Sequence, residues 1–160
     1  MLSAFISPAD IKVNLESTDK EECFAELLEL IVAKNSNIKR IEAMQALIQR
    51  EEKGSTAVFP YVAVPHGVIK SIGKTAIAIG ISRNGIEFES PLGESDSSKD
   101  ARKPVVNVIF EIIFEEKETE THIRVLRDIL QLVSDPEFVK NVLQSKTSQE
   151  VYDLIESLES

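Results

Sequence analysis

Apolar positions in the first third of the chain recur at helical intervals. After a short extended piece, DIKVNL, the tetrad Thr18-Asp19-Lys20-Glu21 has the form of a capping box. In such a box a hydroxyl and a carboxylate satisfy the free N–H groups of a helix start. Phe24, Leu27, Leu28 and Ile31 follow as one apolar stripe at i, i+3, i+4 and i+7. A second helix is expected from about Ile38 to Arg50, with Ile41, Met44, Leu47 and Ile48 inward and KGST as its stop. The pattern then turns β-rich. AVFPYVAV, KTAIAIGIS and GIEFES read as three strands separated by glycine-containing turns. The polar run GESDSSKDARK reads as a mobile loop.

PVVNVIFEIIF is apolar for most of its length, as a central strand covered on both faces requires. Helical period returns from about Thr119, with Ile123, Leu126, Leu130 and Val133 inward. Asp135-Pro136 supplies an N-cap and first-turn proline for a short helix. Thr147-Ser148-Gln149-Glu150 is a second capping box, before Val151, Leu154, Ile155 and Leu158. Helices, strands, then helices, without an internal repeat or a linker, predict the α/β fold class: one domain over residues 1–160, its sheet between helical layers.

Composition narrows the function classes. With 42% hydrophobic and 28% charged residues, the chain has the balance of a soluble globular domain, and 160 residues suffice for a substantial core. It contains no apolar run of membrane-spanning length. The opening MLSAFISPADIK lacks the basic and apolar regions of a secretory signal. Cys23, the single cysteine, cannot form an internal disulfide and fits a reducing cytoplasm as a small buried apolar group. A formal net charge of −9 argues against nucleic-acid binding, which needs clustered Lys and Arg, but permits docking on a basic protein surface. No zinc spacing, dinucleotide or Walker loop, or serine-elbow motif occurs, so neither a metal nor a cofactor is predicted.

The candidate chemistry lies in YVAVPHGVIKS, where His66 sits between a proline and a glycine at the expected close of a strand. His122 falls in the first turn of the helix after the central strand, aligned with Leu126, Ile129 and Val133. That helix start carries partial positive charge suited to an anion. Arg50, at the end of the second helix, offers a guanidinium that can hold phosphate oxygens bidentately. Neutral imidazole is nucleophilic near pH 7, and phosphoryl transfer asks chiefly for positioning and charge stabilisation. Each residue also has a structural reading: a hydrogen-bonded or surface histidine, a polar helix start, a dipole-compensating arginine. Spacing does not choose between them.

The block LIQREEKGSTAVFPYVAVPHGV resembles the enzyme IIA proteins of the bacterial phosphoenolpyruvate-dependent sugar phosphotransferase system, in the fructose/mannitol/nitrogen-regulatory branch. The likeness rests on Arg50-Glu51, Ser55-Thr56 and Ala63-Val64-Pro65-His66-Gly67, and continues through GIEFES, PVVNVIFEII and the closing helices. It implies a mixed sheet with helices on both sides and phosphorylation of His66 by the histidine phosphocarrier HPr or a homologue. Arg50 and His122 map onto the supporting active-site pair, and Ser55, Thr56 and Gly67 onto the phosphate environment. The phosphoryl group would pass to an enzyme IIB, or the phosphorylated state would itself regulate a target protein. REEKGST leans toward the nitrogen-regulatory kind, with fructose/mannitol-type transport as the alternative. The family usually has Gly or Ala where this chain has Phe59, and VFPY replaces a glycine-rich lead into the strand. That departure is expected to remodel the surface beside the site, and it also suits a non-catalytic protein-binding module on the same fold. The polar loop around Ser95 to Lys103 is expected to be longer than usual.

Overall fold

The computed structural model describes residues 1–91 and 103–160. Its frame is a pair of long antiparallel strands, β4 (Ala76–Glu87) and β5 (Val105–Glu115). Short parallel strands flank this pair. β1 (Ile11–Lys12) runs along β4, while β2 (Val62–Ala63) and β3 (His66–Ile69) follow one another along the far edge of β5. The sheet is therefore mixed, as expected, with β5 inside it.

Two apolar cores form because β5 is hydrophobic on both faces. Phe110, Ile112 and Phe114 face α3 (Thr119–Val133), α4 (Phe138–Gln144) and α5 (Ser148–Glu159). Ile109 and Ile113 face α1 (Lys20–Lys34) and α2 (Arg40–Glu52). Among the described residues no helix is long and apolar enough to cross a membrane.

Several boundaries differ from the sequence expectation, each for a local reason. KTAIAIGIS and GIEFES contribute to one strand, Ala76–Glu87, with a register shift between Ile81 and Ile86. Gly85 takes φ +83° there, and a Cβ at this position would lie 2.2 Å from Val105. Within AVFPYVAV only Val62–Ala63 pairs in the sheet, because Phe59-Pro60-Tyr61-Val62 is a turn closed by the Val62 N–H on the Phe59 carbonyl (3.1 Å). Tyr61 holds φ +66° in that turn, a conformation that favours glycine. Helix α1 is capped by Asp19 rather than Thr18: the Asp19 carboxylate accepts the Glu22 N–H (2.8 Å), and the Thr18 hydroxyl donates to Glu22 instead. Asp135 does not cap α4. It accepts the Glu137 N–H (2.9 Å) in a turn one residue too early. Thr147 caps α5 as expected, accepting from Glu150 (3.1 Å), though the Glu150 carboxylate reaches back to Lys146.

The helices are also rotated relative to expectation. Ile41 is 77% exposed in the first turn of α2, and Ala43 and Leu47 are the residues that face the sheet. In α3, Ile123 and Leu130 are exposed, while Val125, Ile129 and Leu132 are buried with Leu126 and Val133 packed beside them. The polar run 93–103 lies outside the described residues apart from Lys103, whose ammonium contacts Glu89 (3.0 Å).

One buried group strains this frame. Glu111 of β5 is fully buried, and neither carboxyl oxygen has a hydrogen-bond partner among the described residues. Strand alternation with Ile109 and Ile113 aims it at the α1–α2 layer, where the small side chain of Ala78 lies opposite. Cys23 of α1 belongs to the same buried layer, and burial drives its thiol upward. Burial holds the Glu111 carboxyl protonated well above the ordinary glutamate range. The unfolded chain ionises at the ordinary value near pH ~4.3, so this residue weakens the fold progressively as pH rises above that point. The slope is at most about 1.4 kcal/mol per pH unit. Urea unfolding of wild type and Glu111→Gln at pH 5 and pH 7.5 is expected to show the variant gaining relative stability at the higher pH. An equal difference at both pH values would contradict a neutral buried carboxyl.

Candidate active site

His66 does not close a strand; it opens β3. Proline explains the break, since Pro65 has no N–H for the ladder and separates β2 from β3. The chain stays on β5 across the gap through the Ile112 N–H, which donates to the Pro65 carbonyl (3.0 Å). His66 then pairs with Ile112 and Gly67 with Ile113, so their side chains fall on opposite faces of the sheet edge.

The imidazole of His66 is half-buried, and its Nδ1 lies 2.8 Å from the Val64 carbonyl. A carbonyl only accepts, so Nδ1 carries the proton and Nε2 keeps the lone pair. Phe114, two residues along β5 from Ile112, meets the His66 ring edge-on with centroids 5.8 Å apart. The same phenyl ring lies 4.3 Å from His122, centroid to centroid. His122 is fixed by Nε2, which donates to the Glu115 carbonyl (2.8 Å) and leaves Nδ1 for other contacts. The two histidines predicted from sequence therefore share one aromatic platform.

Arg50 reaches this edge from the end of α2, where Nη1 donates to the Gly54 carbonyl (2.7 Å) and pins the guanidinium to its own loop. Burial lowers the His66 pKa, and the nearby Arg50 and His122 add to that fall. The Val64 carbonyl and the Glu51 carboxylate oppose it. The net effect keeps the imidazole neutral, and so nucleophilic, at pH 7.

Ser55 and Thr56 belong to the loop between α2 and β2. Thr56 is 1% exposed and turned inward: its N–H and hydroxyl both donate to Glu51, at 3.1 and 2.7 Å. Ser55 Oγ accepts the Ala57 N–H (3.2 Å) and retains its own proton for donation. Gly67 is a packing glycine. A Cβ there would stand 2.7 Å from the Ala46 Cβ and 3.1 Å from its backbone carbon, so only glycine lets α2 lie this close to β3. Of the residues that matter here, sequence reasoning assigned no role to Phe114 or to the Glu51 side chain. The signal for Glu51 was its place on the buried row Ala43–Leu47–Glu51, where an acid needs a partner.

Residues 4–158 match the family described as phosphoenolpyruvate-dependent sugar phosphotransferase system, EIIA 2. The chain belongs to this family. A nitrogen regulatory protein of Bradyrhizobium diazoefficiens is 28% identical over 150 residues, covering 94% of this chain and 88% of that protein. The fructose-specific EIIABC component of Bacillus subtilis is 25% identical over 154 residues, covering 96% of this chain. The chain spans only 23% of that longer relative. In fold, this EIIA chain is similar to the nitrogen regulatory protein IIA-Ntr from Neisseria meningitidis. The TM-score is 0.82 at 23% identity, with 96% of this chain and 98% of the other covered.

Two predictions follow from the local geometry of this EIIA. Gly67→Ala is expected to destabilise the fold by ~1–3 kcal/mol through overpacking against α2. Ala46→Gly in the same chain is expected to recover part of the loss despite its own helix penalty of about 1 kcal/mol, readable as thermal midpoints of the single and double variants. Titration of the His66 ring by NMR is expected to give a midpoint below the ordinary histidine value of about 6.5, and Arg50→Met is expected to move it upward. An unshifted midpoint in the variant would mean that the guanidinium is not near the ring.

Proposed function

We propose that this EIIA accepts a phosphoryl group on Nε2 of His66 from an HPr-like phosphocarrier, in a phosphotransferase system of the nitrogen-regulatory kind. The observation that carries the reading is the His66–Val64 hydrogen bond, which leaves Nε2 with its lone pair at a half-buried sheet edge. In the transfer that lone pair forms the new P–N bond as the donor's P–N bond breaks and its electrons return to the donor imidazole. His66 keeps its Nδ1 proton throughout, so the positive charge of the phosphorylated ring is shared with the Val64 carbonyl.

Arg50 supplies a fixed cation for the equatorial oxygens, the role that charge build-up in the transition state requires. Nδ1 of His122 faces the same task and donates once protonated. The Ser55 hydroxyl supplies a further donor, and Thr56 and Gly67 hold the surrounding backbone. Exposed Val68 and Ile123 make an apolar rim suited to a protein partner, since His66 and Val68 project from the same side of β3 and Ile123 adjoins His122. The phosphoryl group then passes to an enzyme IIB, or the phosphorylated chain acts on a regulatory target in the cytoplasm. The nitrogen-regulatory reading is preferred because of the REEKGST segment, with the 28% identical relative of that name in support. Fructose-type transport remains the second reading, supported by the Bacillus subtilis relative. Exposed Val58 and Tyr61 support a third, a protein-binding module without phosphoryl uptake.

Incubation with phosphoenolpyruvate, enzyme I and HPr is expected to add about 80 Da, one phosphoryl group, to the wild type. His66→Ala is expected to take up none, and Arg50→Ala to react more slowly with the same end point. Full labelling of His66→Ala would overturn the assignment. No uptake by the wild type from any HPr, with a partner protein retained, would favour the binding module.

A further inference from the structure

We infer that Glu51 is a positioning residue for His66, setting the tautomer of its imidazole through Thr56 and Val64. The inference rests on His66 as the phosphoryl acceptor and adds a residue that acts through others without touching the phosphoryl group.

The connection is a continuous line of hydrogen bonds. Glu51 ends the buried face of α2 and is 7% exposed. Its carboxylate takes both donors of one residue, the Thr56 N–H (3.1 Å) and the Thr56 hydroxyl (2.7 Å). The carbonyl of Thr56 in turn accepts the Val64 N–H (3.0 Å). Val64 then offers its own carbonyl to His66 Nδ1 (2.8 Å). On its other side Val64 is followed by Pro65, which restricts it to extended backbone and whose carbonyl is held by Ile112. The acceptor that selects the His66 tautomer is thus clamped from both directions, by α2 through Glu51 and by β5 through Ile112.

The clamp has a chemical consequence beyond stability. With the Val64 carbonyl in place, the proton must sit on Nδ1, because a lone pair there would face the lone pairs of the carbonyl oxygen. The opposite tautomer puts the proton on Nε2, the atom that has to attack phosphorus, and that form is not a nucleophile there. Loosening Thr56 lets the Val64 peptide turn and mixes the two forms. A polar side chain on this buried row needs partners, since Ala43 and Leu47 precede it on the same face, and Thr56 supplies both. A merely structural helix end could have closed the loop with an apolar side chain.

The test reads the ring directly. Long-range proton–nitrogen NMR of the full chain at pH 7.5 is expected to show His66 of the wild type as the Nδ1–H form. In Thr56→Val and Glu51→Ala the two ring nitrogens are expected to move toward averaged shifts, while those of His122 stay put. Glu51→Gln keeps one acceptor oxygen for Thr56 and is expected to restore most of the wild-type pattern. Phosphoryl uptake is expected to slow by about tenfold to a hundredfold in the first two variants, the range that small misplacement of a reacting group produces. A folded Thr56→Val or Glu51→Ala chain with His66 still wholly Nδ1–H overturns the relay, even if its thermal midpoint has fallen. The tautomer measurement needs no phosphoryl donor. A wild type that shows the tautomer response but takes up no phosphoryl group therefore counts against the acceptor reading, and against a catalytic purpose for the relay.

Discussion

The hydrogen bond between the Val64 carbonyl and His66 Nδ1 is the interaction on which the site depends. It spans only two residues and would form in few backbone conformations. Pro65 makes it possible by interrupting the β ladder between Val62–Ala63 and His66–Ile69, so that the backbone before the histidine bends without leaving β5. One local irregularity decides which ring nitrogen carries a proton, and that choice decides which atom can react. The supporting groups sharpen the effect. Burial, Arg50 and His122 all disfavour the charged imidazole, so the ring remains neutral at pH 7.

The site sits where it does because of the sheet's asymmetry. β4 and β5 are long and fill one side of the frame, while the other edge of β5 is divided between two short strands. At that divided edge the two helical layers come within reach of each other. Arg50 arrives from α2 on one layer and His122 from α3 on the other, with Phe114 as the shared platform between the imidazoles. Gly67 sets how closely α2 approaches, since Ala46 occupies the space a side chain would need. The position of the arginine is therefore a consequence of packing α2 against one missing Cβ.

Much of this was legible in the residues. The apolar run at Val105–Glu115 identified the inner strand, because only a strand covered on both faces is apolar at consecutive positions. The Thr147 cap and the buried row of α1 matched their periodic signals. The failures share a cause. Ile41, Ile123 and Leu130 are apolar and helically spaced, yet exposed, since two overlapping stripes exist on each helix and tertiary packing selects one. The strand ends at Pro65 and Gly85 escaped for another reason: a bulge and a proline break keep the chain in the sheet where a simple pattern predicts a turn or an end. The turn at Phe59–Val62 holds Tyr61 at positive φ, which no propensity would have assigned to a tyrosine.

By itself the order of residues determined the α/β class, the inner strand, the presence of a proline–histidine–glycine element and the family to which it points. These are properties of local period and local chemistry, and they survive without knowledge of what lies across the fold. Only the tertiary structure decided that His66 and His122 share one phenylalanine, that Thr56 turns inward to Glu51, and that Glu111 is buried without a hydrogen-bond partner among the described residues. The first of those facts joins three elements through one ring, and the other two depend on what the surrounding layers leave within reach of a buried side chain. Hydrogen-bond direction and burial depend on where the neighbouring backbone ends up, and that is settled by packing the two helical layers onto one sheet.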